Sequence, residues 1–207
     1  MKKALLGVLS VVVVLVAVVL MRTLLFTSRQ LDVPRVPLLE VNERRIVDHL
    51  QRAVRIPTIS YQDPSKLPGE KFLELHQLIE EAFPNLHRVA KQEVVEDYSL
   101  LYTWRGKDPS LAPIILLAHQ DVVPISAPDA WDYPPFGGEV ADGFIYGRGT
   151  LDDKGMLFGT FEAAEALIMQ GFQPQRTIYI ASGHDEEVGG THGARNIVRT
   201  LEQRGVE

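Results

Sequence analysis

The chain has 207 residues and a formal net charge of −6, with 45% hydrophobic and 23% charged residues. This composition is typical of a globular protein, and the acidic balance argues against a nucleic-acid partner, because phosphate binding needs a basic face. The sequence contains no cysteine, so any bound metal must be held by histidine and carboxylate side chains.

The N-terminus is an apolar segment. Lys2 and Lys3 precede an apolar run from Ala4 to Met21, and Arg22 ends it. As a helix these 18 residues span roughly 27 Å, close to the ~30 Å hydrocarbon core of a bilayer. We predict a signal anchor or transmembrane helix at residues 1–22, with the two lysines in the cytoplasm and the rest of the chain outside it. A cleaved signal peptide, which would give a secreted protein, and a buried core helix are the alternatives.

Strands and helices alternate after a predicted linker at residues 23–40, which favours an α/β layered sheet. Apolar periodicity predicts helices at Val41–Val54, Lys71–Phe83, Gly155–Met169 and Gly193–Leu201. The predicted strands are a hairpin of Val89–Val95 and Ser99–Trp104, buried strands at Ile114–Ala118 and Thr177–Ala181, and a short strand at Gly143–Tyr146. Residues 56–60 are predicted to break the first helix, and Pro84 with Asn85 to close the second. Three histidines in or near helices are predicted to lie on the surface: His49, His76 and His87.

Acidic and histidine residues follow predicted strands or turns at three places. They are His119-Gln120-Asp121, Asp152-Asp153 and Asp185-Glu186-Glu187. Each has a plainer interpretation when taken alone: a satisfied histidine, a helix cap and a solvated acidic pair. Ligands of open α/β sheets bind at the carboxyl ends of strands, so we expect the three groups to converge. Carboxylates together with a neutral imidazole suit Zn²⁺. Whether Arg148 or Lys154 pairs with these acids stays open.

Three ordered motifs carry a family resemblance. The segments LAHQDVVP (117–124), DGFIYGRGTLDDKG (142–155) and GHDEEVGG (183–190) resemble the metal motifs of the co-catalytic di-zinc peptidases. That family includes aminoacylase, carboxypeptidase S, succinyl-diaminopimelate desuccinylase and the N-fatty-acyl-amino-acid hydrolase/synthase. The spacing also fits, since Asp152 lies 33 positions after His119 and 35 before Glu187. The resemblance covers roughly residues 41–207 and is closest to the carboxypeptidase S and fatty-acyl-amino-acid branch.

The resemblance implies a fold and a set of roles. The fold is a partial three-layer α/β/α zinc-peptidase catalytic domain at residues 41–207, preceded by one transmembrane helix. His119, Asp152 and Glu187 would be metal ligands, with Asp152 bridging two Zn²⁺ ions. Asp121 would fix the tautomer of His119, and Glu186 would be the general base for hydrolysis by metal-activated water. The Asp152–Asp153 peptide would be cis, while His184 and His192 are not expected to be ligands.

The resemblance also implies parts that these residues do not supply. The family uses two further metal ligands, an acidic residue beyond Glu187 and a distant histidine, and a lid domain that forms homodimers. We therefore expect the 207-residue chain alone to be inactive, each zinc keeping two of its three protein ligands. The expected substrate of the complete enzyme is an N-acyl amino acid or a short peptide. The alternative function is a catalytically inactive short chain acting as a membrane-tethered binding module, and in-frame coding sequence beyond Glu207 would distinguish the two.

Overall fold

A computed structural model describes residues 2–31, 33–36, 38 and 40–206. Met1 of the predicted anchor, parts of the predicted linker and Glu207 lie outside the described residues. The chain divides into two compact units, residues 1–38 and 39–207.

The first unit contains the helix α1 (Lys2–Leu24), followed by irregular chain. All of its described side chains are exposed, including the valine and leucine run that forms its centre. The helix is long and apolar enough to cross a membrane, a test that a signal sequence near an N-terminus also passes. No described residue of α1 is buried, so the structure gives no support to the buried core helix considered for this segment.

The second unit is a layered α/β domain, so the predicted fold class is confirmed. Its helices are α2 (Glu43–Val54), α3 (Gly69–Ala82), α4 (Pro84–Val89), α5 (Lys154–Met169) and α6 (Ala194–Glu202). Its strands are β1 (Lys91–Val95), β2 (Ser99–Trp104), β3 (Ile114–His119), β4 (Glu139–Ala141), β5 (Phe144–Tyr146) and β6 (Ile178–Gly183).

The main sheet has the strand order β1-β2-β6-β3. The pairs β1–β2 and β2–β6 are antiparallel, whereas β3 and β6 are parallel. Parallel pairing places His119, the last residue of β3, opposite Gly183, the last residue of β6. The chain therefore leaves both strands at the same edge of the sheet, and this edge carries the acidic and histidine groups.

Helices cover both faces of the main sheet. Alternate residues of β2 divide between the faces, because successive strand side chains point in opposite directions. Leu100, Tyr102 and Trp104 pack with α2, α3, α4 and α5 in the larger core. Leu101 packs with Ile197 and Leu201 of α6 in the smaller one. The result is a three-layer α/β/α arrangement.

The second predicted helix ends at Ala82, directly before Phe83 and Pro84, so its predicted end is confirmed. The hairpin strand predicted from Val89 begins only at Lys91, because another helix comes between them. A second helix, α4, starts at Pro84, since proline is tolerated at the first helical position. The buried carboxylate of Glu165 in α5 accepts hydrogen bonds from the backbone N–H groups of Asn85 and Leu86, at 3.1 and 2.8 Å. These bonds satisfy N–H groups at the start of α4 that lack partners within the helix.

The apolar strand predicted at Ile114–Ala118 forms, but it is not buried. Ile114 to Leu117 are between 40 and 69% exposed. The reason is position: β3 is an edge strand that pairs only with β6 among the described residues. An apolar run predicts a strand, but it does not show whether another element packs against that strand and buries it.

A short strand, β4, was missed by the sequence analysis. It pairs with β5 in a separate two-stranded sheet, with Ala141 opposite Phe144. The turn between them is Asp142-Gly143, and both residues have positive φ, 51° and 82°. An Asp-Gly pair is a strong hairpin signal for this reason, so the sequence contained the information.

The surface assignment is wrong for two of the three histidines. His49 is buried and bonds through Nδ1 to Oε1 of Glu162 in α5, which also binds Arg45 at 2.7 Å. His76 is buried and bonds through Nε2 to Gln120 at 2.8 Å. Both side chains lie on helix faces turned to the core, where a polar partner makes burial possible.

We predict that Glu165→Ala lowers the free energy of unfolding by about 2–4 kcal/mol, because it removes charge-assisted bonds and leaves backbone N–H groups of α4 unsatisfied. Urea unfolding of the chain measures the change. Glu202→Ala, at an exposed position of α6, is the matched control and should change it by no more than about 0.5 kcal/mol. Equal stability of the two variants would contradict the capping role.

Candidate metal centre

Three sequence-predicted side chains meet at the carboxyl edge of the main sheet. His119 ends β3, Asp152 lies in the loop before α5, and Glu187 lies in a short 3-10 turn after β6. One candidate ligand atom from each lies within 4.8 Å of the other two. The sequence analysis expected the three groups to converge because they follow predicted strands or turns, and this convergence is observed.

His119 is the centre of this group. Its Nε2 atom lies 2.9 Å from Oδ1 of Asp152 and 3.7 Å from Oε2 of Glu186. The imidazole is buried, whereas the Asp152 and Glu186 side chains are 75% and 58% exposed. A buried imidazole thus faces carboxylates that solvent can reach, as an open ligand site requires.

Asp121 fixes the orientation of the His119 ring. Its backbone oxygen and its Oδ1 lie 3.1 and 3.3 Å from Nδ1 of His119. Both are acceptors, so Nδ1 carries the hydrogen and Nε2 is the atom directed at Asp152. The Asp121 side chain is completely buried. Burial acts to raise its pKa, but hydrogen bonds from His119, Ser60 and the Glu187 backbone lower the pKa below its usual value.

The charges of the site favour a cation at its centre. Burial acts to lower the pKa of His119, but the hydrogen bond and charge of Asp121, together with Asp152, raise that pKa to about 9. Burial, and then the charge of Asp152, raise the pKa of Glu187. Carboxylates gathered around one imidazole therefore favour a positive charge at the position where their atoms converge.

Asp153 does not act as the helix cap that the plainer interpretation proposed. Its side chain makes no capping hydrogen bond to α5, and its Oδ2 accepts the backbone N–H of His119 at 3.2 Å. The Asp152–Asp153 peptide is cis, as the resemblance implied. Asp152 and Asp153 thus both contact His119, one through the imidazole and one through the backbone.

The basic residues near the motifs do not neutralise these acids. Lys154 is buried, its Nζ donates to the backbone oxygens of Ala53 and Ile56, and burial lowers its pKa to about 7. The guanidinium of Arg148 lies 5.1 Å from the ring centre of Trp131. Neither makes an ion pair with the acids of the site within the part of the chain that the structure describes.

The other histidines near the motifs lie apart from the site. His184 is buried and bonds through Nδ1 to the hydroxyl of Ser99 at 2.7 Å, and His192 is exposed. Neither belongs to the metal-ligand group found among the described residues. Sequence reasoning missed Ser60, which donates to Asp121 Oδ2 at 2.6 Å. No sequence signal marked it, because it lies 61 positions from its partner.

The donor set fits a divalent transition metal. It combines one imidazole nitrogen with carboxylate oxygens and no thiolate, which suits zinc in an open catalytic site. The second partner of His119, Asp121, is the kind of carboxylate that orients metal-binding histidines. The residues present therefore match the chemistry of a metal, and Asp152 can reach both His119 and Glu187 within the 4.8 Å group.

Comparison with known sequences gives consistent matches. The sequence model of Peptidase family M20/M25/M40 matches residues 115–207. The chain is 45% identical over 179 residues to the N-fatty-acyl-amino acid synthase/hydrolase of Bos taurus, covering 84% of this chain and 35% of that protein. It is 44% identical over 168 residues to carboxypeptidase S of Saccharomyces cerevisiae, covering 76% of this chain and 29% of that protein. The chain thus spans about a third of the length of these relatives.

Comparison with solved structures supports the fold. Human carnosine dipeptidase 1 superposes with a TM-score of 0.64 at 24% identity, covering 79% of this chain and 37% of that one. A metallo-carboxypeptidase of Sulfolobus solfataricus superposes with a TM-score of 0.61 at 20% identity, covering 81% and 36%. At these identities the likeness shows the fold alone. The relatives matched are hydrolases, and the binding-module alternative gains no support.

The pKa of His119 predicts a pH-dependent stability in chelator-treated protein. Its folded pKa of about 9 lies above the ordinary 6.5. The protonated imidazole therefore adds to the free energy of unfolding, fully below about pH 6.5, and this stabilisation is lost as the pH rises through about 9. Lys154 has the opposite effect: its folded pKa of about 7 lies below the ordinary 10.5, so its contribution to the free energy of unfolding rises as the pH increases above 7. The measurement is therefore a difference between wild type and His119→Asn, by urea unfolding from pH 6.5 to 9. Wild type should lose stability relative to the variant, and a constant difference would contradict the assigned pKa.

Proposed function

The chain is a member of peptidase family M20/M25/M40, and from this we propose that it carries the first part of a zinc-dependent hydrolase of amide bonds. The observation that supports the proposal most directly is the convergence of His119, Asp152 and Glu187 within 4.8 Å at the carboxyl edge of the sheet. These residues come from three distant places in the chain. The surrounding bonds of Asp121 orient one of them, as a built ligand site requires.

The three residues divide between two proposed zinc positions. His119 and Asp152 would hold one ion, and Asp152 and Glu187 the other, with Asp152 contributing to both. Zinc, when bound, supplies Lewis acidity that polarises a carbonyl oxygen and makes water more acidic. Asp121 keeps Nδ1 of His119 protonated and so leaves Nε2 as the ligand atom.

Glu186 is the proposed general base. It is 58% exposed and lies 3.7 Å from Nε2 of His119, next to the ligands without belonging to the three-residue group. Its backbone N–H donates to Oδ1 of Asp121 at 3.1 Å, which holds the backbone of the turn while the carboxylate faces solvent. Glu186 would take a proton from the attacking water and give it to the nitrogen of the leaving amine.

The proposed substrate is an N-acyl amino acid or a short peptide. The names of the two sequence relatives, a fatty-acyl-amino acid synthase/hydrolase and a carboxypeptidase, support this class. In both types of substrate a carbonyl carbon is bonded to the nitrogen of an amino acid, and this amide bond is the group that the base and the metal ligands would act on. We further propose that the 207 residues alone are inactive, because each zinc would have two protein ligands where catalytic sites generally use three.

Two substitutions separate chemistry from metal binding in protein that carries the family's complete ligand set. Glu186→Gln should leave zinc content near wild type and lower hydrolysis of an N-acyl amino acid by ~10² or more, the range for losing a general base. Glu187→Gln should lower zinc occupancy, because it weakens a ligand.

The measurements are bound zinc after dialysis and the rate of amine release. Each variant is the control for the other, since both exchange a carboxylate for an amide in the same turn. Equal zinc loss in the two variants would mean that the roles of Glu186 and Glu187 are wrongly divided.

We also propose that α1 anchors the protein in a membrane with residues 41–207 outside the cytoplasm. Its support is the length and apolar character of the helix and the two lysines, Lys2 and Lys3, at its N-terminal end. The retained helix would keep a hydrolase at the membrane surface, whereas cleavage would release it.

The cysteine-free sequence permits a direct test of this topology. Ser65→Cys, at an exposed position, should react with a membrane-impermeant maleimide on intact cells. Lys3→Cys should react only after permeabilisation, because it would lie in the cytoplasm. Protection of Ser65→Cys on intact cells would contradict the topology, and loss of the Lys3→Cys label from the mature protein would identify a cleaved signal.

A further inference from the structure

One buried carboxylate contacts both halves of the proposed site. Oδ1 of Asp121 accepts the backbone N–H of Glu186 at 3.1 Å and lies 3.3 Å from Nδ1 of His119. Oδ2 accepts the backbone N–H of Glu187 at 3.1 Å and the hydroxyl of Ser60 at 2.6 Å. A carboxylate has about four acceptor positions, so these four donors occupy its capacity.

The hydroxyl of Ser60 makes the shortest of these contacts and comes from a segment that carries no proposed ligand. The sequence suggested only that residues 56–60 interrupt a helix. In the structure, Ser60 and Thr58 are almost completely buried. The sequence pattern therefore did not indicate that this segment is buried.

The position of the Ser60 hydroxyl is fixed by pairing between two loops. The backbone N–H of Ser60 donates to Val122 at 3.2 Å, and the N–H of Val122 donates to Thr58 at 3.0 Å. The hydroxyl of Thr58 donates to the backbone oxygen of Gln120 at 2.6 Å. These bonds run on both sides of Asp121, so residues 58–60 hold the loop in which Asp121 lies.

We propose that Ser60 is a positioning residue of the metal centre, acting through Asp121 to set the His119 ring and the Glu186–Glu187 turn in one mutual orientation. Without the hydroxyl, Oδ2 keeps a single donor, and the carboxylate can rotate away from the geometry that aligns Oδ1 with His119 and Glu186. His119 at the end of β3 and Glu187 after β6 would then no longer be held in one orientation by the same carboxylate. The role rests on the metal centre proposed above.

The test has a metal-independent part. In the chelator-treated 207-residue chain, Ser60→Ala should shift the amide proton resonances of Glu186 and Glu187 and speed their hydrogen exchange, because their common acceptor is less constrained. Ser60→Thr, which keeps the hydroxyl, should restore both. Unchanged resonances and exchange in Ser60→Ala would overturn the proposal.

The second part measures zinc affinity and the visible spectrum of the cobalt-loaded form, in protein that carries the family's complete ligand set. Ser60→Ala should weaken zinc binding by about tenfold, the lower end of the range for losing partners of metal ligands, and alter the cobalt bands. Ser99→Ala is the matched control, because it removes a buried hydroxyl bonded to His184 at 2.7 Å that does not contact Asp121. Thermal unfolding of each variant accompanies the titration.

The outcomes separate this inference from the metal centre on which it rests. Wild-type zinc affinity in Ser60→Ala, or equal weakening in Ser99→Ala, would overturn the positioning role. If wild-type protein that carries the family's complete ligand set binds neither zinc nor cobalt, the proposed metal centre fails. In that case the amide measurements alone decide whether Ser60 holds the Glu186–Glu187 turn.

Discussion

The parallel pairing of β3 with β6 is the constraint on which the site depends. It sets His119 opposite Gly183, and so the segment 184–187 begins where His119 ends its strand. The loop before α5 completes the group by bringing Asp152 to 2.9 Å from the imidazole. With antiparallel pairing of these two strands, their carboxyl ends would lie at opposite edges of the sheet, and the same residues would form no site.

Placing several carboxylates together is costly unless positive charge or donors compensate. The structure supplies both. Buried Asp121 is surrounded by donors, and the pKa of His119 is raised to about 9 after burial is opposed by Asp121 and Asp152. The less buried acids, Asp152 and Glu186, face solvent. The buried carboxylate, Asp121, is thus the one that accepts several hydrogen bonds, while the exposed carboxylates of Asp152 and Glu186 can be reached from solvent.

Buried acids also assemble the helical layer that supports this edge. Glu162 and Glu165 lie one turn apart on α5, and each binds a different helix. Glu162 binds Arg45 and His49 of α2, and Glu165 binds the start of α4. Because α5 follows Asp152 and Asp153 directly, these bonds also fix the loop that carries them. The apolar side chains of β3 differ from this layer, because they stay exposed to solvent within the described chain.

Local sequence determined much of this protein. The apolar N-terminal helix, the amphipathic helices and the strand before His119 follow from the spacing of apolar residues, and the ordered motifs indicated the candidate ligands and the family. Sequence did not determine burial or long-range partners. The run at Ile114–Leu117 reads as a core strand yet is exposed, and His49 and His76 read as surface yet are buried. Ser60 reached Asp121 across 61 positions. Periodicity reports which face of an element is apolar, whereas exposure and contact depend on which other elements pack against that face, and only the tertiary structure decides this.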